Sequence, residues 1–197
     1  MLIFENKIQE RKDDFISKLN GISKTLDIDP NWLMAVMNIE SRLNPQAINN
    51  TSGAVGLIQW LPSTLTDYDM TPAQMRQFDN VQQLTYVQRY LEPYRNKMTK
   101  YADVYLAIFY PAALGKGDDY RFPNSVYLSN QYVDLVPEHG ELTVADIKKW
   151  VMKDIPNSWL PVFEKSQSPV KKYLMRNWIV IAILLLIIIS TTIYLLT

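Results

Sequence analysis

The stretch IESRLNPQAINNTSGAVGLIQW, residues 39–60, joins the end of a predicted helix to a loop rich in asparagine and glycine. Asp29 and Pro30 mark the start of that helix, because an aspartate side chain caps free backbone amides and proline is tolerated in the first turn. Pro45 lies beyond the end of the helix, since proline cannot continue its hydrogen-bond ladder. The sequence therefore predicts a helix that carries Glu40 in its last turn.

Glu40 continues the apolar face of this helix. The residues three, four and seven positions before it are Met37, Val36 and Leu33. Partial burial of a carboxyl there disfavours its ionised form and raises its pKa, as a general acid near neutral pH requires. The alternative is an acid that reaches solvent and pairs with Arg42 or with a distant lysine.

The loop that follows permits its backbone to approach a ligand or the preceding helix closely. Gly53 and Gly56 are three residues apart, and the small residues Ser52 and Ala54 flank the first glycine. Gln59 then offers a side-chain amide that both donates and accepts hydrogen bonds. Taken alone, this pattern predicts a turn followed by a short helix.

Three blocks, two within residues 39–60 and one just after them, together resemble the soluble lytic transglycosylase (SLT) family, which is related to goose-type lysozymes. The family signature is an E-S dipeptide followed by G-A-x-G-L-[MI]-Q and P-x-T. The matching residues here are Glu40-Ser41, residues 53–59 and residues 62–64, and Asn44-Pro45 lies between the first two blocks.

A later block, FYPAALG at residues 109–115, resembles the A-Y-N-A-G motif that many members carry. It keeps the tyrosine as Tyr110, and it has Pro111 and Ala113 at the asparagine and glycine positions. Virus-borne (phage) members commonly share this aromatic-Tyr-Pro-Ala-Ala block, the asparagine-containing loop and the GLIQ ending. The resemblance covers about residues 29–117.

The resemblance implies an α+β lysozyme-like fold that is mainly α-helical, with bacterial peptidoglycan as the substrate. Members of the family cleave the β-1,4 bond between N-acetylmuramic acid (MurNAc) and N-acetylglucosamine (GlcNAc) with one glutamate. Glu40 would first protonate the glycosidic oxygen and then, as a carboxylate, take a proton from the C6 hydroxyl of the sugar. The product is a 1,6-anhydro sugar, and no water is consumed. Tyr110 would be the second catalytic residue, through a hydrogen bond in the reaction centre.

The resemblance also implies substrate contacts from the serine of the E-S dipeptide and from the loop. Cellular members often place a serine before the glycines to hold the N-acetyl group of the substrate, whereas this loop has asparagines and a threonine in that region. The expected substrate-binding residues are Ser41, Asn49, Asn50, Ser52, Gly53, Ala54, Gly56 and Gln59.

Two rival functions remain open on the sequence. A hydrolytic muramidase would use Glu40 with a second carboxylate, for which Asp118 or Asp119 is a candidate, although a solvated acidic turn explains these residues as well. A non-catalytic wall-binding or structural virion membrane protein would keep the groove without the chemistry. The replacements at Pro111 and Ala113 lend some support to this non-catalytic function, whereas Glu40 and the intact G-A-x-G-L-x-Q block argue against it.

Composition excludes several classes of site and partner. The 20 Lys and Arg residues balance the 20 Asp and Glu residues, so no basic footprint points to a nucleic-acid partner. The chain has no cysteine and a single histidine, His139, which excludes thiolate nucleophiles and histidine-rich metal sites. We therefore expect no metal and no cofactor.

Helical periodicity and capping residues predict most of the other elements. An amphipathic helix is expected over residues 4–19, with Asn20-Gly21 as its stop. Strict alternation of apolar and polar residues is scarce, so any strands should be short and confined to loops. Two later helices carry capping-box pairs at their starts, namely Thr71 with Gln74 and Thr143 with Asp146.

The segment WIVIAILLLIIISTTIYLLT, from Trp178 to Thr197, has no charged residue. About 20 residues of helix match the roughly 30 Å hydrocarbon core of a bilayer, so we expect a transmembrane helix that anchors the protein to a lipid membrane. The predicted organisation is a lysozyme-like catalytic domain at residues 1–155, a Pro/Ser/Lys linker at 156–177 and a single-pass tail anchor at 178–197.

The charges beside the predicted anchor give its orientation. Four cations precede the span and none follows it, which favours the catalytic domain on the cytoplasmic or equivalent side; they are Lys165, Lys171, Lys172 and Arg176. Peptidoglycan, however, lies across the membrane of a cell. A virus with a lipid membrane resolves this conflict, so the expected location is a virion internal membrane or the host inner membrane, with virion membrane or capsid proteins as neighbours.

Overall fold

The computed structural model describes residues 1–133 and 140–164. Within these ranges the protein is mainly α-helical, as the sequence predicts, and the only β structure consists of isolated bridges at Ile48–Val55, Val55–Trp60 and Arg121–Thr143. The helices are α1 (Lys12–Leu26), α2 (Pro30–Ser41), α3 (Pro62–Thr66), α4 (Pro72–Met75), α5 (Asn80–Leu91), α6 (Tyr101–Phe109), α7 (Asn124–Ser129), α8 (Val144–Met152) and α9 (Leu160–Phe163). Short 3-10 turns lie at Glu5–Lys7, Glu92–Tyr94, Pro111–Ala113, Gln131–Val133 and Asn157–Trp159.

Helix α2 lies at the centre of the hydrophobic core of the described residues. It packs against α1 and α6, while α1 also packs against α5, and α6 against α8. Every residue of α2 from Trp32 to Met37 is buried, so this part of the helix is covered on all sides. Burial decreases toward its C-terminal end, where Glu40 is only partly buried. The acid therefore lies where the central helix leaves the core.

The predicted helix starts are confirmed. The Oδ1 atom of Asp29 accepts a hydrogen bond from the main-chain N–H of Asn31 at 2.8 Å, and Pro30 occupies the first turn of α2. Caps of this kind stabilise a helix by about 1 kcal/mol each. The two predicted capping boxes are also present, at Thr71 with Gln74 and at Thr143 with Asp146.

The predicted first helix has the wrong bounds. It begins at Lys12 rather than near Phe4, because Phe4 and Arg11 both adopt left-handed backbone conformations that interrupt a helix. It also runs through Gly21 to Leu26. An added side-chain atom at Gly21 would meet nothing within 4 Å, so packing does not require a glycine there. The low helix propensity of glycine lowers the stability of the helix by about 1 kcal/mol. The buried face of the helix nevertheless continues past Gly21. That face consists of Phe15, Leu19, Ile22 and Leu26.

The residues after the predicted boundary at 155 also pack on the core as far as they are described. Phe163 is buried, and its ring meets that of Tyr101 edge to face at 4.7 Å. The indole N–H of Trp32 donates to the carbonyl oxygen of Val162 at 3.3 Å. Residues 156–164, predicted as the first part of the linker, therefore belong to the compact unit Met1–Lys165.

The rest of the predicted linker and the predicted transmembrane helix at residues 178–197 lie outside the described residues. Across residues 1–133 and 140–164, none of the helices has both the length and the apolar character needed to cross a bilayer.

Candidate functional site

The end of α2 places Glu40 at the edge of the core. Arg42 and Leu43 both adopt left-handed conformations, with φ of 55° and 64°. Their main-chain N–H groups donate back to the carbonyl oxygens of Asn38 at 3.0 Å and Met37 at 3.2 Å, which closes the last turn. The chain thus turns sharply just after Glu40.

Burial raises the pKa of Glu40 to about 8 from its ordinary value of 4.5. The apolar stripe that precedes it, Leu33, Val36 and Met37, is completely buried. The residue as a whole is nevertheless partly accessible, so Glu40 lies at the edge of the core and not at its centre. At neutral pH most Glu40 side chains are therefore protonated, which is the state that a general acid needs.

Three tyrosines lie close enough to Glu40 to feel its charge. Burial raises the pKa of Tyr101 and Tyr105 on α6 and that of Tyr132, and the negative charge of Glu40 raises each further. The hydroxyl of Tyr101 is buried and has no hydrogen-bond partner within the part of the chain that the structure describes. The acid thus faces neutral phenols and no described cation. No local pattern in the sequence indicates the position of Tyr101 and Tyr105, because it depends on how α6 packs against α2.

Tyr110, the other predicted catalytic residue, follows the last residue of α6. It is half-buried, and its ring meets that of Phe122 edge to face at 5.4 Å. Within residues 1–133 and 140–164, no hydrogen bond joins Tyr110 to Glu40. Its catalytic role stays a prediction.

The asparagine loop is held by its own main chain. Asn49 donates from its main-chain N–H to the carbonyl oxygen of Ala54, and Gly53 donates to the carbonyl oxygen of Asn49, both at 2.8 Å. The Oδ1 atom of Asn49 accepts from the N–H groups of Thr51 and Ser52. Gly53 has φ of 72°, a conformation that favours glycine. Asn49 therefore shapes the loop through its side-chain oxygen, and its role as a substrate contact stays a prediction.

The remaining loop residues differ in their access to solvent. Asn50 is exposed, and so is Ser52, whose Oγ accepts from the main-chain N–H of Ala54 at 3.2 Å. Ala54 and Gly56 are buried. Of these four predicted substrate contacts, the first two are available on the surface, whereas the two buried ones shape the loop.

Ser41 does not fit the predicted role of a direct substrate contact. It is only 8% exposed, and its Oγ donates to the carbonyl oxygens of Met37 at 3.0 Å and Leu57 at 2.9 Å. A buried hydroxyl needs such partners, and here they tie the end of α2 to the glycine-containing loop. The Ser41 hydroxyl therefore joins the residue next to Glu40 to the loop.

Gln59 is directed back onto the loop. Both its main-chain N–H and its Nε2 donate to the carbonyl oxygen of Gly56 at 3.1 Å, and its backbone is left-handed with φ of 52°. This conformation is uncommon for a residue with a side chain. The Gln59 side chain thus holds the backbone of its own loop, and its predicted contact with the substrate stays a prediction.

Gln83 is a residue of the site that the sequence analysis missed. Its side chain is 0% exposed on α5, and its Oε1 accepts from the main-chain N–H of Leu57 at 2.9 Å. Its Nε2 donates to the carbonyl oxygens of Pro45 at 2.8 Å and of Met75 and Phe78 at 3.2 Å. The sequence does indicate that Gln83 is unusual, because it lies four residues before Val87 and places a polar side chain on the buried face of α5.

Asp118, a candidate second carboxylate, pairs with Lys148 at the surface. This hydrogen bond lowers the pKa of Asp118. For Glu40, burial is the cause of the raised pKa, and no described carboxylate contributes to it. The described residues therefore give Glu40 no acidic partner.

The comparison with known families agrees with this geometry. Residues 19–114 match the family model of the transglycosylase SLT domain. No curated protein and no solved structure matches the chain. The matched region contains Glu40, the glycine-containing loop, Gln83 and Tyr110. The match supports the SLT family for this part of the chain, and with it a lytic transglycosylase activity on peptidoglycan.

Proposed function

We propose that this protein is a lytic transglycosylase that cleaves the β-1,4 bond between MurNAc and GlcNAc in peptidoglycan, with Glu40 as the catalytic acid and base. The observation that carries this proposal is the position of Glu40 at the edge of the core in the last turn of α2, within the region that matches the SLT domain; burial there raises its pKa to about 8. Such a carboxyl holds a proton at neutral pH and can deliver it to a substrate oxygen.

In the first half of the reaction, Glu40 protonates the glycosidic oxygen while the bond from the anomeric carbon of MurNAc to that oxygen breaks. The N-acetyl carbonyl of the same sugar stabilises the positive charge that develops at the anomeric carbon. In the second half, the Glu40 carboxylate takes the proton of the C6 hydroxyl as O6 bonds to the anomeric carbon. Glu40 is protonated again, and a 1,6-anhydro sugar is released without the use of water.

The surroundings of Glu40 favour this route over hydrolysis. Glycosidases with two carboxylates place the second one about 5 to 10 Å from the acid, as nucleophile or as base for a water. No described carboxylate influences the pKa of Glu40, and Asp118 is paired with Lys148. A single carboxylate that works twice fits these facts.

Digestion of purified peptidoglycan by the full-length protein tests the proposal. We expect the Glu40→Gln variant to clear no peptidoglycan while keeping its fold, because the amide cannot donate a proton as an acid. Asp118→Asn is the matched control, and it should keep full activity. A fully active Glu40→Gln variant would overturn the assignment.

Mass spectrometry of the released fragments separates the enzymatic alternatives, because anhydro ends and reducing ends differ by one water. Anhydro ends are expected. Reducing ends would instead show a muramidase that uses the same glutamate. Retention of peptidoglycan without turnover would show a non-catalytic wall-binding protein.

We further propose that residues 178–197 anchor the enzyme in a lipid membrane, with a phage virion as its setting. This proposal rests on the uncharged apolar segment and on the four cations before it. The anchored enzyme would meet the cell wall during entry, or during host lysis once the membrane is breached. Protease digestion of intact particles tests the location. Finding the protein only in host membranes would exclude the role in entry.

A further inference from the structure

Gln83 is the most deeply buried side-chain amide near the site, and it joins three separate segments. Its Oε1 holds the N–H of Leu57 in the glycine-containing loop. The two protons of its Nε2 are shared among the carbonyl oxygens of Pro45, just after α2, of Met75, the last residue of α4, and of Phe78, between α4 and α5. A buried amide in an apolar core is costly unless its hydrogen bonds are made, and here both ends of the amide have partners.

Leu57 links Gln83 to the end of the helix that carries Glu40. Its main-chain N–H donates to Gln83, and its carbonyl oxygen accepts from the Oγ of Ser41 at 2.9 Å. Ser41 is the next residue after Glu40 and also donates to Met37 at 3.0 Å. Two hydrogen bonds, joined through the backbone of Leu57, therefore lead from α5, through the loop, to the residue beside the acid.

Gly56 fits the same arrangement. A side-chain atom added to this glycine would lie 2.5 Å from the Oε1 atom of Gln83, which is far inside contact distance. Its φ of 75° lies in the left-handed region as well. The loop therefore approaches Gln83 as closely as only glycine allows, and the Leu57 N–H that follows reaches the amide oxygen.

We propose that Gln83 is a positioning residue for Glu40: its buried amide fixes the glycine-containing loop, and through Leu57 and Ser41 the loop fixes the end of α2. This inference rests on the proposed function of Glu40. Gln83 touches no substrate in this role. It acts by keeping the catalytic carboxyl in one place and in one environment.

Kinetics of the full-length protein on purified peptidoglycan test the role, with two variants and one control. Gln83→Met keeps the length of the side chain and removes every hydrogen bond. Gln83→Asn keeps the amide but shortens it, so that it cannot reach both Leu57 and Pro45. Val87→Ala is the control, because it shortens a buried apolar side chain one turn further along α5 and removes no side-chain hydrogen bond.

For Gln83→Met we expect kcat to fall on the order of tenfold or more, with little change in apparent KM, because small displacements of a catalytic group are costly. We also expect the alkaline limb of the pH–rate profile to move to lower pH. A loosened loop admits water to Glu40, and hydration favours its ionised form. The described titratable groups that face Glu40 are the neutral phenols of Tyr101, Tyr105 and Tyr132.

Val87→Ala should lower the melting temperature and leave both kcat and the pH–rate profile unchanged. If Gln83→Met behaves like this control when both are folded, Gln83 is a stabilising residue only and the proposal fails. If Gln83→Met does not fold, the same comparison is made with Gln83→Asn: unchanged kcat and an unchanged pH–rate profile would overturn the proposal.

Glu40→Gln, measured in parallel, separates the two proposals. An inactive Glu40→Gln with an unaffected Gln83→Met overturns the positioning role alone. A fully active Glu40→Gln overturns the proposed function itself.

Discussion

Replacing Glu40 by glutamine should make the folded protein more stable than the wild type as the pH rises. The pKa of Glu40 is about 8 in the folded protein against an ordinary 4.5, so the folded state holds its proton over a range in which the unfolded chain has lost it. Stability therefore falls from pH 4.5 upward and stops falling above pH 8. Glutamine cannot ionise, and it removes this loss.

The size of the effect follows from the shift in pKa. One pKa unit corresponds to about 1.4 kcal/mol, so over the 2.5 units from pH 4.5 to pH 7 the wild type has lost at most about 3.4 kcal/mol relative to the variant. Glu40 is partly accessible as a residue, and solvent nearby reduces the penalty, so we expect a difference of about 2 kcal/mol at pH 7. Below pH 4.5 the two proteins should be nearly equal, because both carry a neutral side chain.

Urea denaturation of the full-length proteins at several pH values, followed by circular dichroism, measures this difference directly. Subtracting the two free energies of unfolding cancels every titration that the proteins share. Glu5→Gln is a control in which the change in the free energy of unfolding should have the opposite sign. The main-chain N–H of Leu2, and then Lys12, lower the pKa of Glu5, so this variant should lose stability at neutral pH and lose none at low pH. A difference for Glu40→Gln that does not grow between pH 4.5 and 8 would refute the burial argument.

Three further predictions test the site and the domain boundary. The rate of peptidoglycan cleavage by the wild type should fall as the pH rises through about 8, since Glu40 must start the reaction protonated; a rate that stays constant to pH 10 would contradict this role. Gly56→Ala should cost about 2 to 4 kcal/mol in urea denaturation, because the added methyl meets Gln83, whereas Gly115→Ala, which has a similar φ but nothing within 4 Å, should cost only about 1 kcal/mol. Phe163→Ala should cost about 3 kcal/mol if residues up to 164 belong to the compact domain, and an unchanged melting temperature would restore the linker boundary at 155.

The sequence predicted those features whose causes lie within a few residues of one another. The caps at Asp29, Thr71 and Thr143 are local hydrogen bonds, and the stripe before Glu40 is a local periodicity. The raised pKa of Glu40 followed from that stripe, because the helix that carries it lies at the centre of the fold. Local signals of this kind are readable without knowing the tertiary structure.

Features that depend on contacts distant in sequence were missed. Gln83 and Leu57 are 26 residues apart, and no sequence pattern around either residue indicates that the two are in contact. Ser41 was predicted to face the substrate, but its partner Leu57 lies 16 residues away and turns the hydroxyl inward. The first helix extended past Gly21 because packing against α5 outweighs the weak propensity of one exposed glycine.

Burial without a charged partner suits both halves of the proposed reaction. A carboxyl whose pKa is raised by a nearby negative charge would lose that advantage once the neighbour is protonated, whereas burial persists throughout the cycle. After Glu40 gives up its proton, its carboxylate has no described cation to stabilise it, so it remains a strong enough base to take the C6 proton. An arginine or lysine beside Glu40 would lower its pKa and weaken both steps. The phenols of Tyr101 and Tyr105 that face it stay neutral, because burial and the charge of Glu40 raise their pKa values. The site therefore needs an uncharged surrounding more than it needs a second acid.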